Sequence, residues 1–249
     1  MTEPLDPVHA VIIGAGPGIG ASVARRFARE GYRLTLLARN AERLEALATS
    51  IRSQGTTVDV RAVDAAEPGS LRVALEAVRA QSAGPAVLVY NAAMLVPTTL
   101  LNVSADELLE GYSVDVVGAI VAAQVFVPAM QRAKTGTVIF TSGSAAVRPS
   151  PGIATVSLGK AALRSAATML ADTVRDDGVH VVSVTVSGAV KPGTPFDPDL
   201  IADTYWRLHR QPSAEWMPEE PFDGVFDDLA AHTSAAAAGS ARASDRPSA

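Results

Sequence analysis

The chain predicts an α/β fold, a doubly wound parallel sheet with helices on both faces, and three observations lead there. Short apolar runs alternate with amphipathic segments roughly every 25 to 30 residues, the spacing of parallel strands joined by right-handed crossovers. The first apolar run, Val11-Ile12-Ile13, is broken by Gly14, Gly16, Gly18 and Gly20 before ASVARRFARE begins. No internal repeat or composition break interrupts residues 1–224, so a single domain accounts for them.

Taken in order, VHAVII is a buried strand, and the glycines after it permit a sharp turn into a helix that starts near Gly18. Arg33–Ala38 (RLTLLA) is the second strand. Asn40 caps the next helix, in which Leu44, Leu47, Ala48 and Ile51 fall at helical spacing, and Gly55 ends it. Thr57–Val63 is the third strand, with Asp64 at its exit. Pro68–Gln81 is a helix showing Leu71, Leu75 and Val78 on one face, and Ala86–Tyr90 is the fourth strand. A long helix capped near Ser104 runs towards Arg132, followed by a fifth strand at Gly136–Thr141. Gly152–Asp177 reads as mostly helix and Val179–Val186 as the sixth strand.

From Ser187 to Phe222 the pattern becomes irregular and proline-rich and holds both tryptophans, Trp206 and Trp216. Loops of this length in compact domains are functional or disordered. Ile201, Tyr205 and Leu208 lie at helical spacing, which predicts a small helix in a lid region spanning about 188–222, with Tyr205, Trp206, Leu208 and Met217 making an apolar cover over the pocket. Residues 225–249 are small and polar enough to predict a disordered tail.

Composition narrows the function classes. A net charge of −5 carries no polyanion footprint, so nucleic acid is not an expected partner. Without cysteine there is no disulfide, thiol nucleophile or thiolate metal site. His9, His180, His209 and His232 are scattered without ligand spacing, so no metal is expected. MTEPLDPVHA is acidic and unlike a signal peptide. Val114–Met130 is apolar but interrupted by Asp115, Gln124 and Pro128, against a membrane span. The expectation is a soluble cytoplasmic protein acting on a small molecule. Dense small residues at Gly118–Ala123 and Ala161–Ala171 predict close helix packing and a homo-oligomer, dimer or tetramer.

The chemistry gathers around Val8–Gly20. Glycines there admit positive φ and leave room for backbone N–H groups to approach a phosphate, at which the following helix points its positive dipole end. A dinucleotide is therefore the expected ligand.

Across roughly residues 7 to 224 the sequence resembles the short-chain dehydrogenase/reductase family, whose fold is of the Rossmann type. Gly14, Gly18 and Gly20 match its TGxxxGxG loop, with Ile13 in place of threonine. Tyr90-Asn91-Ala92-Ala93 stands for Asn-Asn-Ala-Gly, and Lys160 for the lysine of Tyr-x-x-x-Lys. The resemblance implies a cofactor site made of Gly14, Gly16, Gly18, Ile19, Gly20, Arg39, Asp64, Asn91, Lys160 and Val190. Arg39 stands where NAD-preferring members carry a carboxylate, and a guanidinium suits a 2′-phosphate, so NADP(H) is expected over NAD(H). Asp64 matches the position that bonds the adenine amino group, and Asn91 braces the loop beneath the cofactor.

The catalytic half departs from the family pattern. Val156 takes the tyrosine's place, Gly143 the serine's and Asp115 the asparagine's, while Ser187-Gly188 replaces Pro-Gly. Lys160 alone is kept. A carboxylate at 115 can pair with Lys160 and hold it charged. Ser144, one place from the expected serine, is the candidate hydrogen-bond donor to a carbonyl, able to orient but not to protonate. These residues suggest an NADP(H)-dependent oxidoreductase with a rebuilt proton path, acting on a small hydrophobic substrate with an activated C=N, C=C or carbonyl group. A cofactor-binding protein without turnover is the alternative, and a lyase or isomerase using Asp115 and Lys160 a third reading.

Overall fold

In the computed structural model, which describes residues 5–82 and 84–224, seven parallel strands form one sheet. They are β1 (Asp6–Ile13), β2 (Arg33–Ala38), β3 (Val58–Ala62), β4 (Pro85–Tyr90), β5 (Gly136–Gly143), β6 (Val179–Val186) and β7 (Glu219–Phe222), ordered β3-β2-β1-β4-β5-β6-β7. The chain builds outward from β1 to β3, then crosses back to lay β4 on the other side of β1. That reversal opens a crevice at the carboxyl ends of β1 and β4, the place where ligands bind in such sheets.

The central strands are apolar throughout because both their faces are covered. Every residue of β4 and β6 is buried. On one face α1 (Ile19–Arg29), α2 (Ala41–Arg52) and α7 (Pro198–Arg210) pack around Phe27, Leu34, Leu36, Ile51, Val184 and Tyr205. On the other, α3 (Pro68–Ser82), α5 (Gly118–Ala133) and α6 (Ala154–Val174) enclose Leu75, Tyr90, Phe126, Met130, Phe140 and Leu163. Burying an aliphatic or aromatic side chain of this size contributes about 1.5–3 kcal/mol, so these two layers carry the fold.

The long helix expected from Ser104 towards Arg132 is present, with one irregularity inside it. It begins with a complete capping box, in which Ser104 and Glu107 satisfy each other's backbone N–H groups, and runs as α4 (Ala105–Tyr112). A π turn, Ser113–Val117, then inserts a wider loop of helix before α5. By length and composition 105–133 could cross a membrane, but 72% of its most apolar stretch is buried inside the fold, as befits a core helix.

The expectation for the irregular stretch needs correction. α7 is a core helix on the α1 face and not a lid: Ile201, Ala202, Tyr205 and Leu208 are buried there. Trp206 packs edge-on against Phe27 and Tyr32, with ring centroids 5.5 and 5.8 Å apart, and Trp216 stacks on His180 at 4.7 Å. The aromatics expected over a pocket thus hold the body together. β7, unforeseen, adds a strand beside β6. The tail expected at 225–249 lies outside the described residues.

Candidate cofactor and active site

β1 ends at Ile13, and Gly14 turns the chain with φ +84°. A Cβ on Gly14 would stand 2.4 Å from the amide nitrogen of Ala92, because the loops leaving β1 and β4 pass each other in contact. Asn91 fixes that crossing: its Nδ2 donates to the Gly14 carbonyl at 2.9 Å, and its backbone N–H to Ile13. Gly18 enters α1 with φ +97°. A side chain on Gly20 would strike the Gly14 carbonyl at 2.2 Å. Gly16 and Gly18 differ from Gly14 and Gly20, since a Cβ on either would meet open space, and of the two only Gly18 has a positive φ.

Gly14, Ala15, Gly16 and Pro17 form one wall of a cleft of about 290 Å³, while Gly18, Ile19 and Gly20 carry the chain from its rim into α1. Across it stand Arg39 and Asn40 from the β2 exit, Asp64 from the β3 exit, and Asn91–Met94 from the β4 exit. Asp64 is oriented by accepting from the Ala66 N–H at 2.9 Å, and its other oxygen lies 3.9 Å from the Arg39 guanidinium. Arg39 is 65% exposed, so this pair is weak and leaves Arg39 free to turn to another anion.

Sequence reasoning missed Arg43, which lines the same cleft. The signal was present: Asn40 caps α2 by accepting from the Arg43 N–H at 2.8 Å, and side chains in a first turn lean back towards the helix start. No side chain caps α1, in contrast to α2; the Ala21 N–H donates to the Gly16 carbonyl at 3.0 Å, and the N–H groups of Ile19 and Gly20 are spared for another acceptor.

Behind this cleft lies the second half of the site. The π turn carries Asp115, wholly buried, to within 3.7 Å of Lys160 Nζ on α6. Lys160 also donates to the Thr141 carbonyl on β5 at 2.9 Å. The Met94 N–H, on the cleft wall, donates to Asp115 Oδ1 at 3.3 Å, which ties the pair to the cleft. Burial pushes the Asp115 carboxyl up to about 6, against the pull of Lys160, and burial likewise lowers Lys160. Asp115 Oδ2 has no hydrogen-bond partner. Room for the carboxylate comes from Gly159, where a Cβ would meet Asp115 atoms at 2.6–2.7 Å.

Val156 is buried on the first turns of α6, four residues before Lys160, and Gly143 is the last residue of β5. Ser144 begins a short 3₁₀ turn just past β5 and lines a different cleft, with Arg148, Arg164 and Met217. Val190, on the loop after β6, is 40% exposed and is not among the walls of the cofactor cleft.

Known proteins with this sequence pattern and architecture agree with one another. Residues 8–200 match the family model described as short chain dehydrogenase. An oxidoreductase of Mycobacterium tuberculosis is 32% identical over 196 residues, covering 74% of this chain and 72% of the relative. A very-long-chain 3-oxoacyl-CoA reductase of Emericella nidulans is 28% identical over 69% of this chain, which spans about half (51%) of that enzyme. Among solved structures, a metagenomic short-chain oxidoreductase in complex with NADP aligns with a TM-score of 0.80 and 27% identity, covering 88% of this chain and 97% of the other. L-sorbose reductase from Gluconobacter frateurii, complexed with NADPH and L-sorbose, aligns with a TM-score of 0.82 and 25% identity, covering 90% and 98%. A matched segment that takes in every strand from β2 to β6, on a sheet these structures share, settles the matter: the chain belongs to the short-chain dehydrogenase family, a family of oxidoreductases.

Proposed function

We propose that the protein is an NADP(H)-dependent oxidoreductase in which the Asp115–Lys160 pair supplies the proton that a tyrosine hydroxyl supplies elsewhere in the family. The observation that carries this reading is the 3.7 Å approach of a buried carboxylate to a buried lysine directly behind the cofactor cleft. The cleft fits the cofactor: Gly16 opens onto free space, α1 offers uncapped N–H groups for the pyrophosphate, and Arg39 and Arg43 suit a 2′-phosphate. Asp64 is placed for the adenine amino group and Asn91 braces the floor. We also assign cofactor contacts to Gly18, Ile19, Gly20, Lys160 and the Val190 backbone. Bound, the cofactor supplies a hydride to the electrophilic carbon of a C=N, C=C or C=O group. Lys160 would give its ammonium proton to the other atom of that bond and become a neutral amine, which takes a proton back from solvent, a recharging that the Asp115 carboxylate favours. With Val156 where a tyrosine is usual and Gly143 where a serine is usual, activated substrates suit the site better than simple ketones.

Calorimetry with the two reduced cofactors tests the cofactor assignment. NADPH is expected to bind at least about tenfold tighter than NADH, and Arg39→Ala and Arg43→Ala each to erase most of that ratio, since a lost charge-assisted hydrogen bond costs about 1.5–3 kcal/mol. Equal affinities would refute it. Val156 and Gly143 equally favour a second reading, a cofactor-binding protein without turnover. It is separated by assaying NADPH oxidation with activated imines, enones and carbonyls, where tight binding without any oxidation would select it.

We further assign self-association to the face of α5 and α6, where Ala119, Ala123, Val127, Leu163 and Leu170 line an apolar groove and Ile120, Leu158 and Met169 are exposed. Light scattering should give at least twice the chain mass of 25.7 kDa, and Ala123→Arg should halve it. A monomer at micromolar concentration would contradict this. A chain without cysteine needs no oxidising compartment, and we place it in the cytoplasm.

A further inference from the structure

The π turn is an uncommon way to build a helix, and such turns persist where something holds them. Here the Gly118 N–H donates to the Ser113 carbonyl, five residues back, instead of to Val114, four back. The Val114 carbonyl is thereby released from the helix in a fully buried place, where an unmet acceptor is costly. It does not go unmet, because the hydroxyl of Tyr90, at the end of β4, donates to it. Tyr90 is itself wholly buried, and its hydroxyl occupies the space that a side chain at Gly118 would take: a Cβ there would lie 2.2 Å from it.

From this interlock we infer that Tyr90 is a positioning residue, whose hydroxyl pins the π turn and so aims Asp115 at Lys160. The inference deepens the proton path proposed above and rests on that reading for its catalytic meaning. Without the hydroxyl, Gly118 can return to the Val114 carbonyl and the turn tightens by one residue. That rotates residue 115 by about 100° around the helix axis, away from α6. Gly118 and Gly159 then have one explanation between them: the first leaves room for the Tyr90 hydroxyl and the second for the Asp115 carboxylate. The charged and titratable groups around Asp115 are Lys160 from α6, Tyr90 from β4 and, more distantly through Tyr90, Asp64 from the β3 exit. Burial and the charge of Asp115 keep Tyr90 protonated, hence always a donor.

The test reads the Asp115–Lys160 coupling without turnover. Carboxyl carbon NMR of the full chain, with the Asp115 resonance assigned by Asp115→Asn, gives the midpoint of Asp115 in the natural protein, Lys160→Met, Tyr90→Phe and the double variant. Removing Lys160 is expected to raise the midpoint by about one pH unit or more when Tyr90 is present, because the ammonium favours the carboxylate. In the Tyr90→Phe background the same change should raise it by less than about a third as much. An equal rise in both backgrounds would overturn the inference. Gly118→Ala, which cannot coexist with the Tyr90 hydroxyl, should uncouple the pair in the same way and serves if Tyr90→Phe folds poorly. A protein that shows the coupling and its loss but never oxidises NADPH would refute the proposed function while leaving the role of Tyr90 standing.

Discussion

Lys160→Met is expected to lower NADPH-dependent turnover at least about a hundredfold, the lower end of what a positioned proton donor contributes. NADPH affinity should fall far less, because the glycine loop, Arg39, Arg43 and Asp64 remain. The split between rate and affinity separates a proton-transfer role from a purely binding one. Asp115→Asn should lower the rate too, and it carries a signature of its own. The carboxyl midpoint is pushed up to about 6; as pH falls through that value Asp115 loses the charge that draws the Lys160 ammonium into position, so turnover of the natural protein should decline. The limb belongs to the coupled pair and should be missing from Asp115→Asn. Turnover within threefold of the natural protein in Lys160→Met, measured under saturating NADPH, would remove the pair from the mechanism.

Gly14→Ala is the second change expected to have a large effect. The added methyl would meet the Ala92 amide at 2.4 Å in a backbone conformation, φ +84°, that side chains rarely adopt. Neither neighbour is a flexible side chain: the clash is with the backbone of the β4 exit, which Asn91 ties to the same loop. About 3 kcal/mol of stability should be lost, and cofactor binding should disappear even in the fraction that stays folded. Gly16→Ala is the informative contrast. Nothing stands within 4 Å of its added methyl, so stability should be unchanged and only NADPH affinity should fall. Thermal unfolding with and without NADPH measures both. A Gly14→Ala protein with natural stability would mean that the two loops are not in contact.

These expectations show how far the sequence reaches. The central strands were legible because burial on both faces demands unbroken apolar runs such as Val87-Leu88-Val89. The same rule hid β7, an edge strand whose Glu219, Glu220 and Pro221 read as loop. It forms because Glu219 finds Arg164 and Thr185. The helical spacing of α7 was visible, but not that Tyr205 would be buried with its hydroxyl 2.7 Å from Thr141 Oγ1 on β5, a matter of tertiary packing. At the site, Arg39, Asp64 and Asn91 stand in one cleft because each follows the carboxyl end of a neighbouring strand. The π turn left no mark in composition or periodicity. Its evidence in the sequence is a tyrosine at 90 and a glycine at 118, which only the fold reveals to be neighbours.

The edge strand has a bearing on assembly. β7 is held from both faces: Glu219 pairs with Arg164 of α6 on one side and Glu220 with Arg207 of α7 on the other. Its outer rim offers Pro221, which has no N–H to give, while both glutamates are turned to the two faces. A strand added at this border would go without one ladder hydrogen bond, which disfavours growth strand by strand, the route to fibrils and to swapped sheets.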